Sequence, residues 1–181
     1  MRIVAPVSAT DQLDVGWILD AINECSTPTR TAAGELDDTD GNIAERLKRV
    51  EGVTSEDFVA VVDSWFEIFR AAPDPRSVCD VLNDLLIEAS PTIRAAFDGS
   101  TVSSSVEFSE AVTARQRLTV GGALALLDVI AEIGLERIGL CTANHCVDVY
   151  IDRSPRRNKR YCSQLCQTRE RVQRHRSHTR I

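Results

Sequence analysis

The sequence predicts an α+β fold, with a mostly helical N-terminal domain that carries one β-hairpin, followed by a small C-terminal module built around cysteines. Three observations lead there. Apolar residues recur at three- and four-residue intervals through several stretches before residue 140. The interval shortens to two around residue 102, and four of the six cysteines crowd into residues 141–166 beside a run of arginines. A chain of 181 residues, 43% hydrophobic, can bury one sizeable core with one appended module. With aromatic residues at 5%, that core must rest on aliphatic packing.

From Asp11 to Cys25, Leu13, Trp17, Ile18, Ala21, Ile22 and Cys25 form a helical stripe with Asp11 as its cap. Residues 26–42, rich in Thr, Asp and Gly and without a period, read as a long loop. Thr54 caps the next helix, whose inward face is Phe58, Val61, Val62, Trp65, Ile68 and Phe69. After Pro73 the pattern repeats. Asp74 caps, Pro75 takes the first turn, and Val78, Val81, Leu82, Leu85 and Leu86 face inward, so the two helices form a hairpin.

Asp98-Gly99 then supplies a two-residue turn ahead of the alternating Val102, Ser104, Val106 and Phe108, which predicts a β-hairpin. A helical pattern returns from Ala111 to Ile138, with Leu118, Leu124, Leu127, Ile130 and Ile133 as core candidates and Gly121-Gly122 as a break. The domain boundary is expected between residues 139 and 140, with little linker.

The start of the chain lacks a secretory apolar segment, and the apolar run "ALALLDVIA" is short and carries Asp128, so a cytoplasmic protein with no membrane association is expected. In a reducing compartment six cysteines are metal ligands or buried thiols before they are a disulfide framework. No enzyme is expected. The first 140 residues contain no histidine, phosphate-cradling glycine loop or serine nucleophile elbow, and the acids Asp37, Asp38 and Asp40 sit in the expected loop as a solvated cluster or a weak cation site.

Cys141 and Cys146 are separated by four residues, Cys162 and Cys166 by three, and the pairs by fifteen. Two short-spaced thiolate pairs match the tetrahedral preference of zinc, and the segment holds too few apolar residues to fold without a metal. One structural Zn2+ is therefore expected on these four residues. Four cysteines can also carry an iron–sulfur cluster, and His145 is expected as an exposed loop residue, with replacement of one cysteine as the alternative. Four thiolates leave a zinc ion no open catalytic position. Between the pairs, Val147, Val149 and Ile151 alternate, "RSPRRN" turns and Arg160-Tyr161 lead back, which predicts a second hairpin. Cys162 and Cys166 lie one helical turn apart, so knuckle, hairpin and helix follow in the order of a treble-clef zinc finger. Cys25 and Cys79, remote from this cluster, read as small buried apolar residues.

The net charge of −6 conceals an asymmetry. Residues 153–181 hold ten Lys and Arg against one acid, Glu170, or +9, while the preceding residues hold eleven bases and twenty-six acids, or −15. Nine of the ten bases are arginine, whose planar fork suits phosphates and guanine edges. DNA is the expected partner of Arg169, Arg171, Arg174 and Arg176 on the last helix and of Arg156, Arg157, Lys159 and Arg160 in the loop before it. Val172 is expected to pack toward Leu165. The alternative is a protein-interaction module whose basic finger grips an acidic partner or its own acidic domain.

Cys141, Cys146, Asp152-Arg153-Ser154, Arg160, Tyr161-Cys162-Ser163, Cys166, Arg169 and the basic tail through Arg176 together resemble the CGNR zinc finger. The eponymous Cys-Gly-Asn-Arg is here Cys166-Gln167-Thr168-Arg169, keeping only its ends. Asp20 and Asn23 in "LDAINE" resemble early positions of the ABATE domain that precedes this finger in bacterial stress-induced transcription regulators. The resemblance implies a DNA-binding regulator whose larger domain senses a signal ligand. A homodimer through that domain is expected as well, because one small finger reads few base pairs.

Overall fold

The computed structural model describes residues 13–35, 40–97, 100 and 102–178. Among the described residues, seven α-helices and two small antiparallel hairpins follow in the order α1 (Val15–Cys25), α2 (Thr27–Ala33), α3 (Asp40–Leu47), α4 (Ser55–Ala71), α5 (Pro75–Ile87), β1 (Thr92–Phe97), β2 (Val102–Glu107), α6 (Ala114–Ile133), β3 (Ile138–Leu140), β4 (Val149–Ile151) and α7 (Gln164–His178). The α+β class expected from the sequence is thus observed.

Helix α4 is the hub of the body. It packs against α1, α3, α5, α6 and β3, and its Phe58, Val61, Val62, Trp65, Phe66, Ile68 and Phe69 are all buried. Thr54 caps it by accepting the Asp57 N–H at 3.1 Å, and Asp74 caps α5 by accepting that of Ser77 at 3.0 Å. Of the residues expected to face inward on α5, Val78, Leu82 and Leu85 are buried, while Val81 and Leu86 are half-buried. Cys79, read as buried, is exposed on the outer face of α5, whereas Cys25 is buried and its thiol is pushed up to about 11, mainly by desolvation.

Besides Cys79, four larger expectations are corrected. The cap of α1 is Asp14, which accepts the Trp17 N–H at 3.1 Å, while Asp11 lies outside the described residues. The stretch 26–42 is not one long loop. Ser26 caps α2, Pro28 occupies its first turn, Gly34 closes it at φ +76°, and α3 begins at Asp40 and inserts Ile43 into the core. Asp37 and Asp38 lie outside the described residues.

The third correction concerns Gly121-Gly122, which leaves α6 unbroken. A Cβ on Gly122 would stand 2.1 Å from Trp65 Cε2, so the missing side chain admits the indole, whose Nε1–H donates to Thr119 O at 3.0 Å. Helix α6 opens on a reciprocal cap between Thr113 and Gln116 and ends at Gly134, so the expected continuation to Ile138 is replaced by a short 3-10 turn and β3. Its buried residues include Leu118, Ala123, Leu126 and Val129, with Leu124, Leu127, Ile130 and Ile133 half-buried around them.

The fourth correction moves the second hairpin. Instead of running from Val147 to Tyr161, it pairs β3 with β4, Ile138 opposite Ile151 and Leu140 opposite Val149, and carries the first cysteine pair in its loop. Ile138, Val149 and Ile151 belong to the same apolar core as α1 and α4, which explains the choice of partner: β4 gains burial by turning toward the body. The first hairpin forms as expected, with Ile93 opposite Val106. Phe97 pairs with Val102, so four residues connect the strands where two were expected. Asp98 and Gly99 lie outside the described residues.

Candidate metal centre

Two loops bring four cysteines together. In the first, the Cys141 N–H donates to Asp148 O at 2.8 Å and the Cys146 N–H to Ala143 O at 3.2 Å, closing a knuckle in which His145 adopts φ +61°. His145 is exposed there. In the second, Ser163 opens α7, its Oγ accepting the Cys166 N–H at 3.3 Å. The loops are tied to each other by Thr142, whose N–H and Oγ1 both donate to Arg160 O, at 2.9 and 3.0 Å.

The Sγ atoms of Cys141, Cys146, Cys162 and Cys166 all lie within 4.8 Å of one another. Cys146 and Cys162 are separated by 3.7 Å and Cys162 and Cys166 by 3.6 Å. Zinc–sulfur bonds of about 2.3 Å in a tetrahedron place sulfurs about 3.8 Å apart, while a disulfide needs about 2.05 Å. The geometry fits a single tetrahedral ion, and the donor set is that of a closed structural zinc site.

Burial pushes the Cys146 thiol up to about 12 and raises that of Cys162 further, where Asp148 Oδ2 also accepts from the sulfur at 3.2 Å. Cys166 goes the other way. Burial acts upward, but hydrogen bonds to its sulfur from Ser163 and the neighbouring cysteines hold it below the ordinary thiol value. A bound metal displaces these protons and stabilises the thiolates.

Residues 137–179 match the CGNR zinc finger family. The match covers 43 of the 181 residues and takes in β3, both cysteine loops and α7. No curated protein matches the chain. The four cysteines of this matched segment can bind one zinc ion.

Within the finger, Asp152 organises the basic loop. Its buried carboxylate accepts the Ser154 N–H at 2.8 Å and the Lys159 N–H at 2.9 Å. Ser154 foremost, then the Lys159 amide and the Arg137 guanidinium, hold its carboxyl below the usual carboxylate range against the opposing effect of burial. Arg137 reinforces the loop by donating to Asp152 O and Ser154 O at 3.0 and 3.1 Å.

The expected DNA contacts divide into two groups. Arg157 pairs with Glu136 at 3.5 Å, Lys159 donates to Ile151 O and lies 5.4 Å from the Tyr150 ring centroid, and Arg174 donates to the Tyr161 hydroxyl at 3.1 Å. The side chains of Arg156, Arg169, Arg171 and Arg176 are exposed and, among the described residues, have no hydrogen-bond or ion-pair partner. Arg160 is exposed as well, and its backbone carbonyl joins the two loops.

Asn23 was legible as a polar residue but not in its role. Its Nδ2–H donates to Val149 O at 3.2 Å and its Oδ1 accepts the Val149 N–H at 2.7 Å. The side-chain amide thereby imitates one more strand beside β4 and fastens α1 to the finger hairpin. On the same helix Asp20 and Glu24 receive Arg46 from α3, at 3.6 and 2.7 Å.

Proposed function

We propose that this chain is a zinc-dependent, non-enzymatic DNA-binding transcription regulator. In this reading residues 140–181 are the DNA-binding finger. Residues 1–139 form an ABATE-like domain that senses a ligand and joins two copies in the cytoplasm. The observation that carries the reading is the unpartnered state of Arg169, Arg171 and Arg176 on a helix anchored through Cys166. Arginines that served only solubility would gain as much from neighbouring acids, and the body holds many. Gripping by the chain's own acidic domain is disfavoured because the Arg157–Glu136 pair is exposed on both sides and therefore weak.

Titration of the zinc-loaded chain against duplexes recovered from a random pool tests the proposal. The logarithm of affinity should fall with the logarithm of salt at a slope of about −0.9 per neutralised phosphate. Replacing Arg169 and Arg171 with alanine should weaken binding at least severalfold and flatten that slope. Failure to recover any duplex, or binding indifferent to salt, overturns it.

A further inference from the structure

Helix α7 is amphipathic the wrong way round. Its inward side is Cys166, Glu170 and Gln173, where Glu170 Oε1 accepts the Asn144 N–H at 2.8 Å and Gln173 Oε1 accepts from Asn144 Nδ2 at 3.3 Å. Its remaining apolar residues, Leu165 and Val172, face out, 60% and 43% exposed. They do not stand alone. Leu165, Arg169, Val172 and Arg176 are spaced i, i+4, i+7 and i+11, which at 100° per residue places all four within a strip about 60° wide and about 16 Å long. With Thr168 and Gln173 they line one open groove. Val172 does share a face with Leu165, as expected from the sequence, but the pair is not withdrawn from solvent.

Scattered single leucines on a surface need no explanation. A single file that alternates branched aliphatic with unpartnered arginine does, because two chemistries are offered at one pitch. A parallel second copy of this strip would set Arg169 and Arg176 against their own images, and an antiparallel one would set each arginine against Leu165 or Val172 with no acceptor for its fork, so self-association through it is disfavoured in either direction. The surface that presents acceptors for arginine and methyl groups for aliphatics along one channel is the major groove of duplex DNA: guanine O6 and N7 take the fork, and the thymine C5-methyl takes the apolar contact. The groove admits a helix, and the strip spans about five base pairs at about 3.4 Å each.

We propose that this strip is the base-reading face of the finger, with Leu165 and Val172 packing on thymine methyls and Arg169 and Arg176 reading guanines. The inference rests on the DNA-binding reading above and adds to it the orientation of α7 and the class of base step it selects. Arg171 and Arg174, on the flanks and far side of the strip, are left to phosphates or to the finger itself.

The test compares one recovered duplex with the same duplex carrying deoxyuridine for thymine, which deletes only the methyls. The zinc-loaded full chain should bind the deoxyuridine form about fourfold more weakly for each methyl contacted. Val172→Ala and Leu165→Ala, at exposed positions that leave the fold intact, should reduce that ratio toward one. Equal binding of the two duplexes by the unaltered chain overturns this inference and leaves the DNA reading standing. Binding of no duplex at all overturns both. A change of oligomeric state in Val172→Ala reassigns the strip to a protein contact and also overturns it.

Discussion

The helical body and the finger are held together by opposite means. In the body, Trp65, Phe58, Phe69, Ile18, Ile22 and Ile68 are fully buried around α4, and Trp17 meets Phe58 and Trp65 at ring-centroid distances of 6.1 and 6.4 Å. In the finger, the separate buried cluster consists of Cys141, Ala143 and Cys166, with Cys146, Tyr161 and Cys162 partly buried around it. Area burial of that size cannot offset the ordering of some forty residues. The difference teaches where a metal is structurally required: where the side chains are charged and exposed instead of apolar and buried, the folding energy has to come from coordination. Strands β3 and β4 stand between the two regimes, finger by sequence and body by burial.

Metal removal should separate the regions most sharply. Structural zinc contributes on the order of 10 kcal/mol to small modules, so chelation, or Cys162→Ser, should dissolve the α7 end of the finger while the body keeps a cooperative thermal transition. Circular dichroism should lose the helicity of α7 alone. A single transition displaced as a whole would show that the two regions share one source of stability.

The reciprocal break lies at Gly122. Alanine there sets a Cβ against a fully buried Trp65 that has no room to retreat, and the body should lose about 3 kcal/mol, read as a fall in its melting temperature. Zinc stoichiometry of the folded protein should stay at one. An unchanged melting temperature would mean that α6 shifts to accept the methyl.

Asn23→Ala probes the seam between the regions. Removing both amide contacts to Val149 exposes one backbone N–H and one C=O at the edge of β4 and should cost about 1–2 kcal/mol. The informative readout is coupling. In the unaltered chain, hydrogen exchange at Val149 should follow the body, and in the variant it should rise toward the level of the metal-free finger.

The same contrast explains what was legible in the sequence. Helices α4 and α5 carry caps and full apolar stripes, so period and punctuation agree, and the four cysteines announce their chemistry by spacing alone. Helices α2 and α3 were hidden because the signal is a cap and a terminal glycine around Thr29 and Arg30 in one case, and a single buried Ile43 in the other. Gly121-Gly122 resembled a break because a glycine that yields space to a distant indole looks the same, in sequence, as one that ends a helix. The second hairpin was misplaced because the alternation of Val147, Val149 and Ile151 fixes a strand but not its partner. That partner, β3, was absorbed into the tail of the α6 pattern. Asn23 and Asp152 act through backbone groups far away or in turns, for which side-chain periodicity carries no sign.

The smallest effect isolates the polar side of the comparison, where a carboxylate rather than the metal shapes the finger. Asp152 has its carboxyl held low in the folded state by the Ser154 and Lys159 contacts and by Arg137, so it binds a proton less readily folded than unfolded. Its contribution is therefore present above the unfolded carboxylate value of about 3.9 and is lost as pH falls through the lower folded value. Asp152→Asn should reproduce the acid form at neutral pH: the Ser154 and Lys159 amides exchange faster at pH 6, and the gap between variant and unaltered chain closes as the pH drops below about 4. Acid also releases metal from thiolates, but that loss strikes both proteins alike and leaves their difference to report the carboxylate. A gap that persists unchanged at low pH would assign the loop to Arg137 and its two carbonyl contacts instead.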